Sequence, residues 1–293
     1  MKLKAFGALA AASLLIQGCT TIGGRQRPSP QESHSVPSGP VAPVHRWTLD
    51  AEQQSLANAS CYGGVPLDTN ADAGPTELVI RRGYVLEHSS RDKLPLWVCE
   101  SVAADQLTGH VVRRNTFKAD PDLKGPKSFP SDYKSSGFDR GHQAPAGNQT
   151  QDPVLKDQTF YMSNMAPQRP SLNRGIWRVL EDMTRNWVMR YGHAYEWTGP
   201  ILCVDRTPCK PLTIGPGVAV PEYFYKIILV RDQSQWKGVA FVLPNRDFSR
   251  PYHLERYIRS IDWIAQQTGI DFMPDTSEAV RRMQKSAVAP LWP

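Results

Sequence analysis

The feature that most constrains the fold is a series of strand-like segments with no regular alternation of helix between them. Glu77 to Glu87, Leu96 to Val102, Tyr195 to Val204, Glu222 to Arg231 and Trp236 to Leu243 are rich in β-branched and aromatic residues. His110 to Phe117 has a weaker form of the same pattern, and Thr159 to Asn164 reads as a short buried strand. Between them, Lys118 to Gly137 is a polar loop holding Pro121, Pro126 and Pro130. A short polar turn separates the last two strands, which predicts a hairpin. Parallel strands need a crossover of about a dozen residues, usually a helix. The order of segments therefore argues against a doubly wound or barrel α/β fold. It points to an α+β fold with a largely antiparallel central sheet and helices packed on it. No internal repeat is present.

Two longer helices are expected. Tyr252 to Gln267 carries Leu254, Ile258, Ile261 and Ala265 on one stripe, with Gly269 as its stop. Leu172 to Tyr191 ends at Gly192 and carries Ile176, Leu180, Met183 and Trp187 towards the core. Arg174, Arg178, Glu181 and Arg185 recur on another face. Trp177, Trp187 and Trp197 invite a base-stacking role, but Trp187 lies on the apolar stripe and reads as core. A short helix from Leu49 to Ala59 precedes the folded domain.

The chemistry concentrates in Phe138-Asp139-Arg140-Gly141-His142 and in the helix that Asn173 opens. Histidine takes a proton from water, an amide oxygen holds a hard cation, and guanidiniums grip phosphate. Together these serve metal-assisted phosphodiester cleavage. On a continuous helix, Asn173 and Glu181 stand roughly 12 Å apart along the axis. Both cannot then bind one cation directly, so Asn173 is the direct ligand and Glu181 acts through water. Such a water-rich site suits Mg2+. Helix N-capping is an equal reading of Asn173 on geometry alone. Arg185 also stands one turn from Glu181, where an i, i+4 salt bridge is expected. Gly141 allows close backbone approach before the histidine, and Asp139 reads as an acceptor for nearby backbone or arginine groups. The remaining histidines (His34, His45, His88, His110, His193 and His253) show no usable spacing.

Three stretches carry a family resemblance: Asp139-Arg140-Gly141-His142-Gln143-Ala144-Pro145, then Ser163-Asn164-Met165-Ala166-Pro167-Gln168, then Leu172-Asn173-Arg174-Gly175-Ile176-Trp177 running into Leu180-Glu181. In order and interval they resemble the DNA/RNA non-specific endonucleases with a ββα-metal (His-Me finger) site. Thr268-Gly269-Ile270-Asp271-Phe272 is similar to the close of that domain. The resemblance covers residues 61–275 and implies a ββα-metal nuclease core. It makes His142 the general base and favours Asn173 as direct metal ligand. Arg140 and Arg185 resemble the family's phosphate-binding arginines, with Arg114 as a further candidate, and Asn164 orients the site. It implies Mg2+, with Mn2+ able to substitute, DNA and RNA as substrates, and products with 5′-phosphates. The rival readings are a module that grips nucleic acid without cutting it and a phosphodiesterase acting on smaller diesters.

The N-terminus reads as a targeting segment. Lys2 and Lys4 precede a short apolar run from Ala5 to Ile16, too short to span a bilayer, and Ile16-Gln17-Gly18-Cys19 looks like a lipobox. Residues 1–19 are thus expected to be a lipoprotein signal peptide ending at lipidated Cys19. Residues 20–60 form a tether and lead-in, with five prolines, four serines and three glycines between Thr20 and Arg46 that cannot bury apolar surface. Residues 276–293 form a C-terminal tail. The expected location is a bacterial envelope, anchored through the lipid and facing the periplasm or the cell surface. Of five cysteines, four remain after Cys19. Cys203 and Cys209 flank a short Pro-containing loop and are paired, which leaves Cys61 with Cys99; no spacing suits zinc. The formal charge of +6 suits a polyanion or an anionic membrane surface.

Overall fold

The computed structural model describes residues 47–69, 74–204, 210–285 and 290–292. Its strands are β1 (Leu67–Asp68), β2 (Thr76–Ile80), β3 (Val85–Ser89), β4 (Leu94–Ala103), β5 (Asp139–His142), β6 (Met165–Gln168), β7 (His193–Ile201), β8 (Thr213–Ile214), β9 (Val218–Ala219), β10 (Tyr223–Asp232), β11 (Gln235–Pro244), β12 (Ile258–Arg259) and β13 (Ile270–Asp271). The α-helices are α1 (Ala51–Ser60), α2 (Pro153–Gln158), α3 (Arg178–Tyr191), α4 (Ile261–Thr268) and α5 (Glu278–Lys285).

Seven strands form the central sheet in the order β12-β11-β10-β7-β4-β3-β2, with every pairing antiparallel. This is the α+β architecture expected from the sequence. Strand alternation sorts the core into two layers. Phe224, Ile228 and Val230 of β10 join Leu180, Trp187 and Val188 of α3 on one face. Tyr225, Ile227 and Leu229 join Ile261 and Ile264 of α4 on the other. The sheet is therefore covered on both sides. Trp177, Trp187 and Trp197 are all core residues.

Several element boundaries differ from the sequence reading. Glu77 to Glu87 is a hairpin, β2 and β3, because the chain turns at Arg81–Tyr84. His110 to Phe117 forms no strand; it crosses the surface as a loop beside the cavity described below. Thr159 to Asn164 is buried but not extended: it ends in a 3-10 turn at Met162–Asn164, and the strand follows as β6. The expected helix from Tyr252 is a 3-10 turn (Leu254–Tyr257), then edge strand β12, then α4. Ser260 starts α4 by accepting from the Trp263 amide. Gly192 and Gly269, both left-handed, stop α3 and α4 as expected. Beyond residue 275, α5 packs on β11 with Val280 buried, and Trp292 lies 4.8 Å from Trp187 between ring centroids.

Cys61 and Cys99 are bonded, with their Cα atoms 5.4 Å apart, joining the end of α1 to β4. The Cys203–Cys209 pairing involves Cys209, which lies outside the described residues, as do Cys19 and the Pro/Ser-rich stretch up to Arg46. The Cys61–Cys99 bond closes a loop of sequence separation 38. Replacing both residues with alanine should lower stability by roughly 3–4 kcal/mol in the chain-entropy picture. Urea unfolding of parent and variant measures this, and a difference below about 1 kcal/mol would show that the bond constrains little.

Candidate active site

Strands β5 and β6 pair antiparallel, with His142 opposite Met165 and Asp139 opposite Gln168. The chain then makes a wide turn at Leu172–Trp177 and enters α3. Strand β5, the wide turn and α3 thus border one cavity of about 940 Å³, with β6 pairing behind β5. His142, Arg140, Asp139, Asn173, Glu181 and Arg185 all line it. So do Arg113, Arg174 and Arg178, which gives the cleft a strongly cationic wall.

Each side chain has an identifiable support. A Cβ at Gly141 would run into the Gln168 side chain, so the glycine leaves room for that buried side chain beside β5. His142 stands edge-on to Phe160, centroids 4.9 Å apart, with Phe117 at 5.6 Å. Its Nε2 is buried without a partner, which leaves Nδ1 as the nitrogen on the cavity side. Asn164 is fully buried. It accepts from the Ala144 amide and donates to the carbonyls of Ala144 and Thr159, each at 2.9 Å. It therefore clamps the segment just after His142 and lies behind the cavity wall.

Asn173 does not cap a helix. Its Nδ2 donates to Asp139 Oδ2 at 2.9 Å, and no side-chain cap stands at the start of the turn. Arg174 pairs with the same carboxylate, its Nε 2.8 Å from Oδ2. With its nitrogen engaged, the Asn173 amide is left with Oδ1 as a free acceptor. Among the described residues no group of three or more His, Cys, Asp or Glu could hold a metal. The oxygen set of Asn173 and Glu181 instead fits a hard, water-retaining cation such as Mg2+. Backbone angles break from helical at Gly175, so Asn173 and Glu181 do not share one continuous helix as the sequence suggested.

The expected salt bridge from Arg185 to Glu181 is absent. Arg185 Nη2 pairs with Asp182 at 2.5 Å, and Nη1 donates to Asn148 Oδ1 at 3.3 Å. Arg114 also falls outside the site: it is exposed, reaches Asp157 at 4.0 Å, and does not line the cavity. Its neighbour Arg113 does, with its guanidinium 5.1 Å from the Phe160 ring. Nothing local in an Arg-Arg pair shows which side chain turns inward.

Burial, and then the nearby charges of Arg113 and Arg140, lower the His142 pKa to about 3. Burial raises the Glu181 carboxyl to about 7, while Lys226 and Arg185 pull the other way.

An imidazole, an amide oxygen and a ring of arginines are the kinds of group that phosphodiester cleavage uses. The family model described as DNA/RNA non-specific endonuclease matches residues 68–279. Nuclease C1 of Cunninghamella echinulata var. echinulata is 36% identical over 205 residues, covering 66% of this chain and 81% of that protein. Mitochondrial endonuclease G of Homo sapiens is 34% identical over 212 residues, covering 69% and 71%. A chain from a crystal structure of the EndoG/EndoGI complex superposes with a TM-score of 0.66 at 29% identity, covering 74% of this chain and 94% of that one. This chain belongs to the DNA/RNA non-specific endonuclease family.

The folded pKa of His142 lies below that of an unperturbed imidazole. Its contribution to stability is therefore present above about pH 6.5 and is lost as pH falls towards about 3. In the protein without added metal, ring-nitrogen NMR shifts should report a neutral His142 at pH 5. A titration midpoint near that of a free imidazole would contradict the burial argument.

Proposed function

We propose that this protein is a Mg2+-dependent endonuclease, with Mn2+ able to substitute, that hydrolyses phosphodiester bonds of DNA and RNA without sequence preference. The observation that carries this reading is the convergence of His142, Asn173, Glu181, Arg140 and Arg185 on one cavity. Arg140, Arg185 and Arg113 grip the phosphate. Phosphate contacts position a substrate but carry no sequence information directly, which suits a non-specific enzyme. His142 Nδ1 takes the proton of the attacking water. The phosphate's negative charge offsets the field of Arg113 and Arg140, so the imidazole becomes a better base once substrate is bound. Asn173 Oδ1 would hold the cation directly and Glu181 would hold it through water. When bound, Mg2+ supplies positive charge to the phosphate oxygens and the leaving group. Asn164 keeps the His142 segment in register and takes no part in proton transfer.

His142→Ala should lower turnover at least about 100-fold while DNA binding persists. Asn173→Ala should fail chiefly through the cation, requiring more Mg2+ or losing activity altogether. Plasmid nicking across a Mg2+ series, with chelator controls, measures both. Near-parental cleavage by the first variant, or an unchanged Mg2+ dependence of the second, would refute the assigned roles.

The proposed location is a bacterial envelope, with Cys19 lipidated and the Pro/Ser-rich stretch acting as a tether. The lipobox-like Ile16-Gln17-Gly18-Cys19 supports this. Among the described residues no helix is long and apolar enough to cross a membrane. Cys19→Ser should release the protein from membranes at unchanged specific activity. A fraction held only by basic residues should come off in salt, because screening acts within about 10 Å at 0.1 M. Membrane fractionation with a salt wash decides, and salt-resistant retention of the variant would count against lipid anchoring.

A further inference from the structure

Strand alternation puts three ionisable residues on the sheet face that α3 covers. Glu100 of β4 stands opposite Glu196 of β7, and Lys226 of β10 stands opposite Thr198, the next residue of β7 on that face. All three are at most 1% exposed. Lys226 Nζ donates to Glu196 Oε2 at 2.6 Å and to Thr198 Oγ1 at 2.8 Å. Glu196 Oε1 accepts from Asn148 Nδ2 at 3.4 Å, and Asn148 Oδ1 accepts from Arg185 Nη1 at 3.3 Å. A hydrogen-bonded path thus runs from the middle of the sheet to an arginine in the cleft.

A second observation concerns the same turn. Asn148 closes the 3-10 turn Ala146–Asn148, and its neighbour Gly147 lines the cavity. A Cβ on Gly147 would meet Arg185 Nη1 at 2.9 Å and Cζ at 3.2 Å. The third of the nearest atoms, Arg185 Nε at 3.7 Å, belongs to the same guanidinium. Glycine here leaves room for one guanidinium.

We propose that the turn Ala146–Asn148 is the seat of Arg185. Asn148 is a positioning residue that aims this guanidinium into the cleft, and Lys226 with Glu196 hold the seat from inside the sheet. The inference rests on the reading of Arg185 as a phosphate-binding group. The chemistry favours an amide in this place. An amide oxygen accepts from the guanidinium without neutralising it, so its full charge stays available to phosphate. A carboxylate would quench that charge. Glu196 does not, because Lys226 already balances it. Burial, and then the Glu196 carboxylate, push Glu100 well above the ordinary carboxyl range. Burial works against the Lys226 ammonium, but Glu196 and then Glu100 outweigh it. The outer partner, Asp182, is half exposed, so its pairing with Arg185 yields readily when phosphate arrives.

The test compares Gly147→Ala, Asn148→Ala, Arg185→Ala and the Asn148→Ala/Arg185→Ala pair in the full chain. The readouts are kcat/KM on double-stranded DNA with Mg2+ and thermal unfolding midpoints. Gly147→Ala should lose about 10- to 100-fold in kcat/KM, the scale of a misplaced binding group, at a near-parental midpoint. Asn148→Ala should lose a similar factor. The double variant should be no worse than Arg185→Ala alone, within about 3-fold, because both act through one side chain. A purely structural role for Asn148 would instead make the two losses multiply, which would overturn the proposal. If Asn148→Ala does not fold, Gly147→Ala decides. Impaired Arg185→Ala beside a fully active Gly147→Ala or Asn148→Ala would overturn the seat alone. A fully active Arg185→Ala would overturn the reading of Arg185 and the seat with it.

Discussion

The candidate site depends on one carboxylate. Asp139 stands at the start of β5 and accepts from Asn173 Nδ2 while pairing with Arg174. It joins the strand that carries His142 to the turn that leads into α3. Without it, Asn173 would be free to rotate, and either its oxygen or its nitrogen could face the cleft. An amide with its NH2 tied to a carboxylate has its oxygen orientation fixed. On the proposed role of Asn173, its preference for a hard cation would originate in a hydrogen bond outside the metal's own ligand set. Arg174 is largely exposed, so its ion pair with Asp139 adds little energy of its own. Its use is geometric, since it holds the second carboxylate oxygen and fixes the rotation of the first.

On the proposed role of His142 as base, the electrostatics of the cleft oppose proton uptake until substrate arrives. The drop of the His142 pKa to about 3 corresponds to roughly 4–5 kcal/mol against holding a proton. Burial contributes most, and the two arginines add to it. That penalty falls only on the protonated imidazole, which is the form that catalysis must generate. The arginine share is cancelled by bound phosphate, whereas the burial share is not. In the proposed mechanism phosphate therefore does more than place phosphorus near the base: it changes how readily the base accepts a proton. Phe117 and Phe160 sustain the burial by packing beside the ring, and Arg140 in turn lies 4.2 Å from the Phe117 centroid. The same aromatic shell that dries the imidazole also places one of the cations that act on it.

Much of this was legible in the sequence where local physics decides the outcome. The hairpin of β10 and β11 was clear because two β-rich runs flank a short polar turn, and Gly192 and Gly269 marked helix ends because a left-handed residue is required there. His142, Asn173 and Glu181 could be picked out through three spaced motifs. What was hidden depended on tertiary context. Arg81–Tyr84 turns the chain inside a run that reads as one strand, and Tyr252 to Arg259 keeps a helical stripe of apolar residues although Ile258 and Arg259 pair with β11. Arg113 and Arg114 differ only in which side of a loop they occupy. Arg185 reaches Asn148, which lies 37 positions away in sequence, so no helix-spacing rule could anticipate the pairing.

Glu100, Glu196 and Lys226 show why charge patterning misleads in a sheet of this kind. In a half-exposed antiparallel sheet, charged residues at alternate positions mark the solvent face. Here α3 covers that face and α4 the other, so the alternation places the charges in the core. Burying an ion pair is seldom a net gain in stability over well-packed apolar residues. Three apolar side chains at these positions would fill the same layer beneath α3. They would, however, leave Asn148 without the acceptor that its Nδ2 now has, and the turn beneath Arg185 without an anchor. The polar stack is thus explained by the position of one guanidinium better than by fold stability. The central sheet does two jobs: its apolar residues hold the helices, and its few buried charges extend the active site inward.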